Sequence, residues 1–136
     1  MAIEIERKFL VVSDGWRTAY GELYKQGYLN RDKLRTVRVR QAGDQAFLTI
    51  KGKTIGISRT EFEYPIPVTE AQDLLALCDG GLIEKIRHKV TYEGLLWEVD
   101  EFLGDNAGLV VAEVELETAE QAIKLPVWVG VEVSDD

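Results

Sequence analysis

Charged and apolar residues alternate strictly in at least six short segments of this sequence, and this alternation restricts the possible folds more than any other feature. The amino-terminal segment is an example, with charged and apolar residues at alternate positions: Glu4, Glu6 and Lys8 against Ile3, Ile5 and Phe9. Successive side chains of a β-strand point to opposite faces of the sheet. Each such segment therefore predicts a strand with one charged face and one apolar face.

The alternating segments and the turns between them predict eight strands and three helices. We place the strands at residues 1–10, 22–30, 34–42, 45–52, 58–66, 82–93, 95–103 and 109–117. We place the helices at residues 16–20, 69–79 and 118–124, the second of them ended by Gly80-Gly81. Nearly all strands follow one another directly, which favours an antiparallel barrel. The order strand, helix, three strands occurs twice, which indicates an internal duplication.

The charged faces decide what such a barrel would enclose. Charged side chains are almost never fully buried without a partner, so these rows must line a water-filled interior or lie on the outside. One hydrated channel accounts for all the rows together, whereas the alternative is an ordinary barrel with a salt-bridged exterior. We therefore predict an α+β fold that is mostly β: an eight-stranded antiparallel β-barrel enclosing a hydrophilic tunnel, with helices packed outside.

Length, charge and cysteine content limit the class of protein. The 136 residues predict a single domain over 1–136. The net charge of −8 argues against a nucleic-acid binder, which needs an excess of basic residues. The one cysteine, Cys78, excludes an internal disulfide and fits a reducing, cytoplasmic location. No apolar run is long enough to cross a membrane, and a homodimer is left open.

The polar faces carry both cations and carboxylates. The cationic candidates for the channel are Lys8, Arg38, Arg40, Lys51, Lys53, Arg59, Lys85, Arg87 and Lys89. The acidic candidates are Glu4, Glu6, Glu61, Glu63, Glu98, Asp100, Glu113, Glu115 and Glu117. Converging arginines and lysines indicate a polyanion, and the carboxylates suit one or two hard divalent cations such as magnesium or manganese. Together they predict phosphoryl transfer to water, assisted by a metal ion.

The remaining conspicuous side chains are interpreted as structural. His88 alternates out of phase with Lys85 and Arg87, so it is expected to point away from the channel. Cys78 lies on the apolar face of the second predicted helix and is expected in the core. The three tryptophans are expected to serve packing rather than ligand stacking; they are Trp16, Trp97 and Trp128.

Several short motifs follow one another along nearly the whole chain. In order they are Glu4-x-Glu6-x-Lys8, Arg38-x-Arg40, Lys51-Gly52-Lys53, Arg59-x-Glu61-x-Glu63, Lys85-x-Arg87, the segment 97–100 and Glu113-x-Glu115. The first is weak alone, but the ordered set resembles the CYTH family, the triphosphate tunnel metalloenzymes. The resemblance implies an eight-stranded tunnel, a substrate that bears a triphosphate, and a requirement for Mg²⁺ or Mn²⁺.

The resemblance also implies roles for individual residues. Metal ligation is expected from Glu4, Glu6 and Glu115, with Asp100 and Glu113 close by, while Glu61 and Glu63 either hold basic residues in place or bind a second metal. Substrate binding is expected from Lys8, Arg38, Arg40, Lys51, Lys53, Arg59, Lys85 and Arg87. Of these, Lys8 and Lys85 are also expected to act in catalysis. Tyr28 is either a partner for proton transfer or a tyrosine of the barrel wall.

Several substrates stay open. Short bacterial members with this kind of amino terminus resemble inorganic triphosphatases, which cleave tripolyphosphate to pyrophosphate and phosphate. The alternatives are a thiamine triphosphatase, a class IV adenylate cyclase or a non-catalytic polyphosphate-binding module. An organic substrate needs apolar or stacking contacts, and no aromatic cluster in the sequence is dedicated to that. Family members usually continue past the segment matching 128–136 into a further helix, so we expect that helix to be absent or truncated here.

Overall fold

A computed structural model describes residues 3–17 and 20–134. Within these residues, nine strands, one α-helix and one 3₁₀ turn at Gly104–Asn106 are formed. In chain order the strands and the helix are β1 (Ile3–Val11), β2 (Glu22–Asn30), β3 (Arg35–Ala42), β4 (Gln45–Gly52), β5 (Ser58–Ile66), α1 (Val68–Ala76), β6 (Asp79–Tyr92), β7 (Leu95–Phe102), β8 (Val110–Glu115) and β9 (Val129–Glu132).

The strands close into an antiparallel barrel. The pairing order is β5-β4-β3-β2-β6-β7-β8-β1, and a further pairing of β1 with β5 closes the ring. β1 makes this closure because its first residues pair with the start of β5, while its middle pairs with β8 along the other edge. The predicted eight-stranded antiparallel barrel is confirmed. The ninth strand, β9, extends the sheet along the second half of β1 and was not predicted.

The apolar core lies outside the barrel wall. One cluster is centred on the outward face of β1, β7 and β8, and it contains Phe9, Trp16, Trp97, Val99, Ala112, Val114, Leu116 and Trp128. A second cluster lies beneath α1, where Ala71 and Leu75 pack on Val39 and Ala46, with Cys78 at its margin. The packing roles predicted for the tryptophans are confirmed, whereas Cys78 lies beyond the end of α1 and is only partly buried. Since apolar side chains occupy the outer face, the alternating charged side chains are left facing inwards.

Only one of the three predicted helices forms among the described residues. The segment 118–124 consists of a bend, a turn and irregular chain, and Leu116 and Trp128 on either side of it are both packed into the outer core. The prediction of a helix there is wrong. Of the helix predicted at 16–20, residues 18 and 19 lie outside the described part of the chain, and the remaining three residues are not helical. The order strand, helix, three strands therefore holds only for the second half of the chain.

The helix α1 begins and ends earlier than the predicted 69–79. It begins at Val68 and ends at Ala76, and the glycine pair after it belongs to β6. Gly80 has a φ of +72°, a conformation that glycine adopts without strain. The pairing register of β2 with β6 shifts beside it, so this glycine accommodates an irregularity of the sheet. Within residues 3–17 and 20–134, no helix has the length and hydrophobicity required to cross a membrane.

Candidate active site

The barrel encloses a charged cavity of about 490 Å³, to which all eight barrel strands contribute side chains. Most of the predicted site residues line it: Glu4, Glu6, Lys8, Tyr28, Arg38, Arg40, Lys51, Arg59, Glu61, Glu63, Lys85, Arg87, Lys89, Glu98, Glu113 and Glu115. The predicted hydrophilic tunnel is therefore confirmed. We call this cavity the lumen. Lys53 lies outside it, at one mouth of the barrel, and Glu117 is exposed beyond the end of β8.

One mouth of the barrel is strongly basic. A cavity of about 570 Å³ there is lined by Lys33 and Lys53 together with Lys8 and Arg59 of the lumen, and these cations outnumber the two carboxylates in its lining, Glu4 and Glu6. A smaller adjoining cavity of about 260 Å³ brings in Arg31. A mouth lined by several cations attracts polyanions by its local electric field, in spite of the acidic net charge of the whole chain.

Arg87 and Lys85 are held by one buried carboxylate on the next strand. Lys85 Nζ donates to Asp100 Oδ2 at 2.6 Å, and Arg87 donates to both Asp100 oxygens at 2.8 and 2.9 Å. Burial raises the pKa of Asp100, but the hydrogen bonds from Arg87 and the charge of Lys85 outweigh it, and the pKa is lowered overall. Burial lowers the pKa of Lys85 to about 8, although Asp100 opposes this. Asp100 thus lies behind the two cations and does not line the lumen.

Arg40 is positioned by neutral neighbours. Its Nε donates to Gln26 Oε1 at 2.9 Å, and its guanidinium lies 5.0 Å from the ring centre of Tyr24. The guanidinium of Arg87 lies 4.8 Å from the centre of the same ring. Burial, followed by the charges of Arg38 and Arg87, lowers the pKa of Arg40 to about 10. Together these cations carry more positive charge than Asp100 neutralises, and this excess favours binding of an anion.

A second ion-pair cluster joins β1, β4 and β5. Lys51 Nζ donates to both oxygens of Glu4, at 3.0 and 3.2 Å, and lies 3.3 Å from Glu61 Oε2. Arg59 Nε adds a bond of 3.3 Å to Glu4. Burial raises the pKa of Glu4, but the charge and hydrogen bonds of Lys51 outweigh it and lower the pKa overall. Glu4 is therefore ionised and held by two cations.

Glu6 and Glu113 form a carboxyl pair in the lumen wall between β1 and β8. Burial and then the charge and hydrogen bond of Glu113 raise the pKa of Glu6 to about 9. Glu115 lies opposite Glu6 in the sheet, and burial followed by the charges of Glu4 and Glu98 raises its pKa as well. Carboxylates held this close repel one another unless a proton or a cation lies between them.

The comparison with known proteins identifies the family. The family model described as the CYTH domain matches residues 2–135. The chain belongs to the CYTH family. It is 51% identical over 138 residues to an inorganic triphosphatase of Acetivibrio thermocellus, covering 100% of this chain and 88% of that protein. It is 38% identical over 138 residues to an inorganic triphosphatase of Nitrosomonas europaea, covering 98% of this chain and 90% of that protein.

A solved structure supports the same assignment. The crystal structure of the inorganic triphosphatase NE1496 matches this CYTH chain with a TM-score of 0.68 and 34% identity, covering 97% of this chain and 90% of that one. The predicted family is thus confirmed by sequence and by fold. Membership of a family of tunnel metalloenzymes implies a divalent metal ion.

The carboxylates of this CYTH chain fit such an ion. Glu6, Glu113 and Glu115 present oxygen ligands. Burial first, and then the charges of neighbouring carboxylates, raise the pKa values of Glu6 and Glu115, and a bound cation would offset both effects. Within the described residues, no three acidic, histidine or cysteine side chains converge into a complete metal site. An ion held here would complete its coordination with substrate phosphates and water, as magnesium commonly does.

Some lumen residues were not singled out from the sequence. Tyr24 and Gln26 line the lumen and contact Arg40, and Thr49, which lines the adjoining cavity of about 260 Å³, donates to Glu63 at 3.1 Å. Each of the three lies an even number of positions from a predicted site residue on its own strand. This alternation is the sequence signal that could have identified them. Tyr28 lines the lumen at the basic mouth, where its ring lies under the guanidinium of Arg31. His88 lies outside the lumen, against Trp16, as predicted.

Proposed function

We propose that this CYTH protein is a divalent-metal-dependent triphosphatase that cleaves inorganic tripolyphosphate to pyrophosphate and phosphate. The observation that carries the proposal is the closed lumen in which arginines and lysines face carboxylates across one water-accessible space. A bare polyphosphate with its counter-ion satisfies both sets of charges. The two relatives, each an inorganic triphosphatase, support the same reaction for this chain.

The cations of the lumen bind and orient the substrate in this proposal. The binding groups are Lys8, Arg38, Arg40, Lys51, Arg59, Lys85 and Arg87 in the lumen, with Lys53 at its basic mouth. Arginines can bind a phosphate group through two parallel hydrogen bonds, whereas lysines act as point charges. Because Asp100 and Tyr24 hold Arg87 in place before substrate arrives, little further ordering is needed on binding.

The carboxylates hold the metal ion, which we propose to be Mg²⁺ or Mn²⁺. The ligands would come from Glu4, Glu6, Glu113 and Glu115, with Glu61 and Glu63 either at a second ion or supporting the neighbouring cations. Asp100 is a weaker candidate because, unlike these carboxylates, it does not line the lumen. When bound, a divalent ion polarises a phosphoryl oxygen and neutralises part of the substrate charge.

The reaction is a displacement at phosphorus. The oxygen of a water molecule forms the new P–O bond, and the bridging P–O bond breaks to release pyrophosphate. Lys8 and Lys85 stabilise the charge that develops on the transferred group and on the leaving group. Tyr28 is proposed to relay a proton of the attacking water, since the residue lines the lumen.

The aromatic residues of the lumen favour a substrate without an organic part. Four aromatic rings line it: those of Tyr24, Tyr28, Phe47 and Phe102. Arginines lie over the rings of Tyr24 and Tyr28, and Lys85 lies 5.5 Å from the ring centre of Phe102. A thiamine or adenine ring would therefore have to displace a cation in order to stack on any of these three rings, which leaves Phe47 as the lumen ring that is open to stacking. The free thiol of Cys78 is compatible with the proposed cytoplasmic location.

Phosphate release separates the candidate activities. Tripolyphosphate, thiamine triphosphate and ATP are each incubated with the protein in Mg²⁺, in Mn²⁺ and in EDTA, and ATP reactions are also assayed for cyclic AMP. We expect fastest release from tripolyphosphate and none in EDTA. Faster turnover of thiamine triphosphate, or formation of cyclic AMP, would support the corresponding alternative. Binding of tripolyphosphate without release would indicate a non-catalytic polyphosphate-binding module.

Two substitutions test the site assignment. Glu4→Ala and Lys85→Ala are expected to abolish phosphate release while circular dichroism stays that of a folded barrel. Glu70→Ala on α1 and Lys25→Ala on the outer face of β2 remove exposed charges of the same type and serve as matched controls. Wild-type rates in both Glu4→Ala and Lys85→Ala would show that the site assignment is wrong.

A further inference from the structure

Lys51 contacts carboxylates from two strands at once. Its side chain is buried, and its Nζ lies 3.0 and 3.2 Å from the two oxygens of Glu4 and 3.3 Å from an oxygen of Glu61. Both oxygens of Glu4 thus accept hydrogen bonds from one ammonium group. Arg59 supplies a further bond to Oε1 of Glu4.

The same Glu4 oxygens are needed by a divalent ion. A carboxylate oxygen that coordinates a metal ion cannot keep all of its bonds to an ammonium group, and two cations so close together repel each other. A metal ion at Glu4 therefore displaces Lys51. The displaced ammonium can move into an adjoining cavity, because Lys51 lines both the lumen and the cavity of about 260 Å³ that contains Arg31 and Arg38.

We propose that Lys51 is an exchangeable counter-ion that couples metal binding to triphosphate binding. It pairs with Glu4 when no metal ion does, and it becomes available to a phosphate group when a metal ion takes its place. By linkage, each ligand then increases the affinity for the other through Lys51, in addition to any direct contact between metal and phosphate. This inference rests on the proposed function, since it assumes that a metal ion and a triphosphate share the lumen.

Arg38 and Lys85 provide the contrast. Lys85 is paired with Asp100, which does not line the lumen, so a lumenal metal ion has no reason to release it. Arg38 lines the same two cavities as Lys51, but within the described residues it makes no ion pair, and its Nε has no hydrogen-bond partner. Arg38 is thus available to an anion whether or not a metal ion is bound.

The test measures binding rather than turnover. The affinity for imidotriphosphate, a hydrolysis-resistant analogue, is measured by titration calorimetry in EDTA and in Mn²⁺ for the wild type, Lys51→Met and Arg38→Met. We expect Lys51→Met to bind the analogue within about twofold of wild type in EDTA but about tenfold more weakly in Mn²⁺. Arg38→Met is expected to lose a similar factor in both conditions.

A second measurement uses Mn²⁺ alone. Lys51→Met is expected to bind Mn²⁺ about tenfold more tightly than wild type, because Glu4 is freed from its ammonium partner. Arg38→Met removes the same charge without contacting Glu4, and is expected to leave Mn²⁺ affinity within about twofold of wild type. Lys51→Gln replaces Lys51→Met if the latter does not fold, as judged by circular dichroism.

The outcomes distinguish this inference from the proposed function. Equal loss of analogue affinity in EDTA and Mn²⁺, or no loss in either, would overturn the exchange and leave Lys51 as an ordinary phosphate ligand or a structural residue. Unchanged or weaker Mn²⁺ binding by Lys51→Met would overturn it as well. Failure of the wild type to bind the analogue under any condition would instead contradict the proposed function, and the measurement with Mn²⁺ alone would still decide whether Lys51 competes for Glu4.

Discussion

Lys85 donates a hydrogen bond of 2.6 Å to Asp100, whose side chain is only 1% exposed. Arg87 donates to the same carboxylate from the other side, so one buried anion holds two of the cations that face the lumen. Arg87 also donates to Glu98 at 3.2 Å, so these two cations and two carboxylates are neutral together, and the excess positive charge that favours an anion comes from the neighbouring Arg38 and Arg40. Asp100 therefore fixes the positions of two proposed phosphate-binding groups without lining the lumen itself.

Asp100→Asn is expected to destabilise the fold and weaken substrate binding together. Removing one partner of a buried ion pair leaves the other charges uncompensated, which costs about 3 kcal/mol of unfolding free energy or more. Lys85 and Arg87 also lose their anchor, so KM for tripolyphosphate is expected to rise. Urea unfolding and steady-state kinetics measure the two effects. Asp44→Asn in the exposed turn between β3 and β4 is the control and is expected to change neither. Lost Mn²⁺ affinity with unchanged stability would instead identify Asp100 as a metal ligand.

Trp97→Ala tests whether the core lies outside the barrel. Trp97 is fully buried against Phe9 and Trp128, with ring centres 5.6 and 5.7 Å away. Loss of a buried tryptophan should lower the unfolding free energy by about 4 kcal/mol. Tyr64→Ala, on the outward face of β5 where the side chain is half exposed, is expected to cost less than about 1 kcal/mol. Equal effects of the two substitutions would contradict the placement of the core.

The barrel and the direction of its charged faces could be predicted because both follow from the alternation of charged and apolar residues along each strand. A row such as Lys85 and Arg87 on one strand cannot be buried in a dry core. The apolar residues that alternate with them face the other side of the sheet and must pack against other apolar groups. These two requirements leave few arrangements besides a wet lumen with its core outside. The same reasoning correctly placed His88 on the outer side.

The distance of each side chain from the lumen and the pairing register of the strands could not be predicted in the same way. Asp100 alternates in phase with Glu98, but only the pairing of Asp100 with Arg87 across β6 and β7 brings its carboxylate behind the cations. The helix expected at 118–124 followed from local propensity, which the packing of Leu116 and Trp128 overrides. The position of Asp100 and the absence of the helix both depend on contacts between residues distant in sequence, which a single sequence does not specify.

Tyr24→Leu is expected to weaken triphosphate binding through the arginines that Tyr24 contacts. The ring is buried and lies near the guanidiniums of both Arg40 and Arg87, and such contacts contribute about 0.5–2 kcal/mol each. Their loss should raise KM for tripolyphosphate by about 5- to 10-fold while leaving Mn²⁺ affinity unchanged. Tyr24→Phe keeps the ring and is the matched control, expected to behave like the wild type. If Tyr24→Phe is as impaired as Tyr24→Leu, the hydroxyl rather than the ring is responsible.

Glu132→Gln is expected to remove a pH-dependent contribution to stability. Glu132 accepts bonds of 3.0 and 2.7 Å from Arg7, which joins β9 to β1, and these bonds with that from Ser134 lower the pKa of Glu132 to about 2. Because the pKa is lower in the folded than in the unfolded state, the stabilisation is fully present above the unfolded value of 4.5 and is lost as the pH falls through about 2.

The pair is partly exposed, so screening limits its contribution to about 0.5–1 kcal/mol at neutral pH, which corresponds to about 2–3 °C in melting temperature. Thermal melts of the wild type and Glu132→Gln from pH 7 downwards should show a difference that is constant to about pH 4.5 and then shrinks. Glu120→Gln, an exposed carboxylate on the neighbouring turn, is the control and should show no such trend. A difference between wild type and Glu132→Gln that persists undiminished at the lowest pH at which both fold would mean that the pair with Arg7 is not its source.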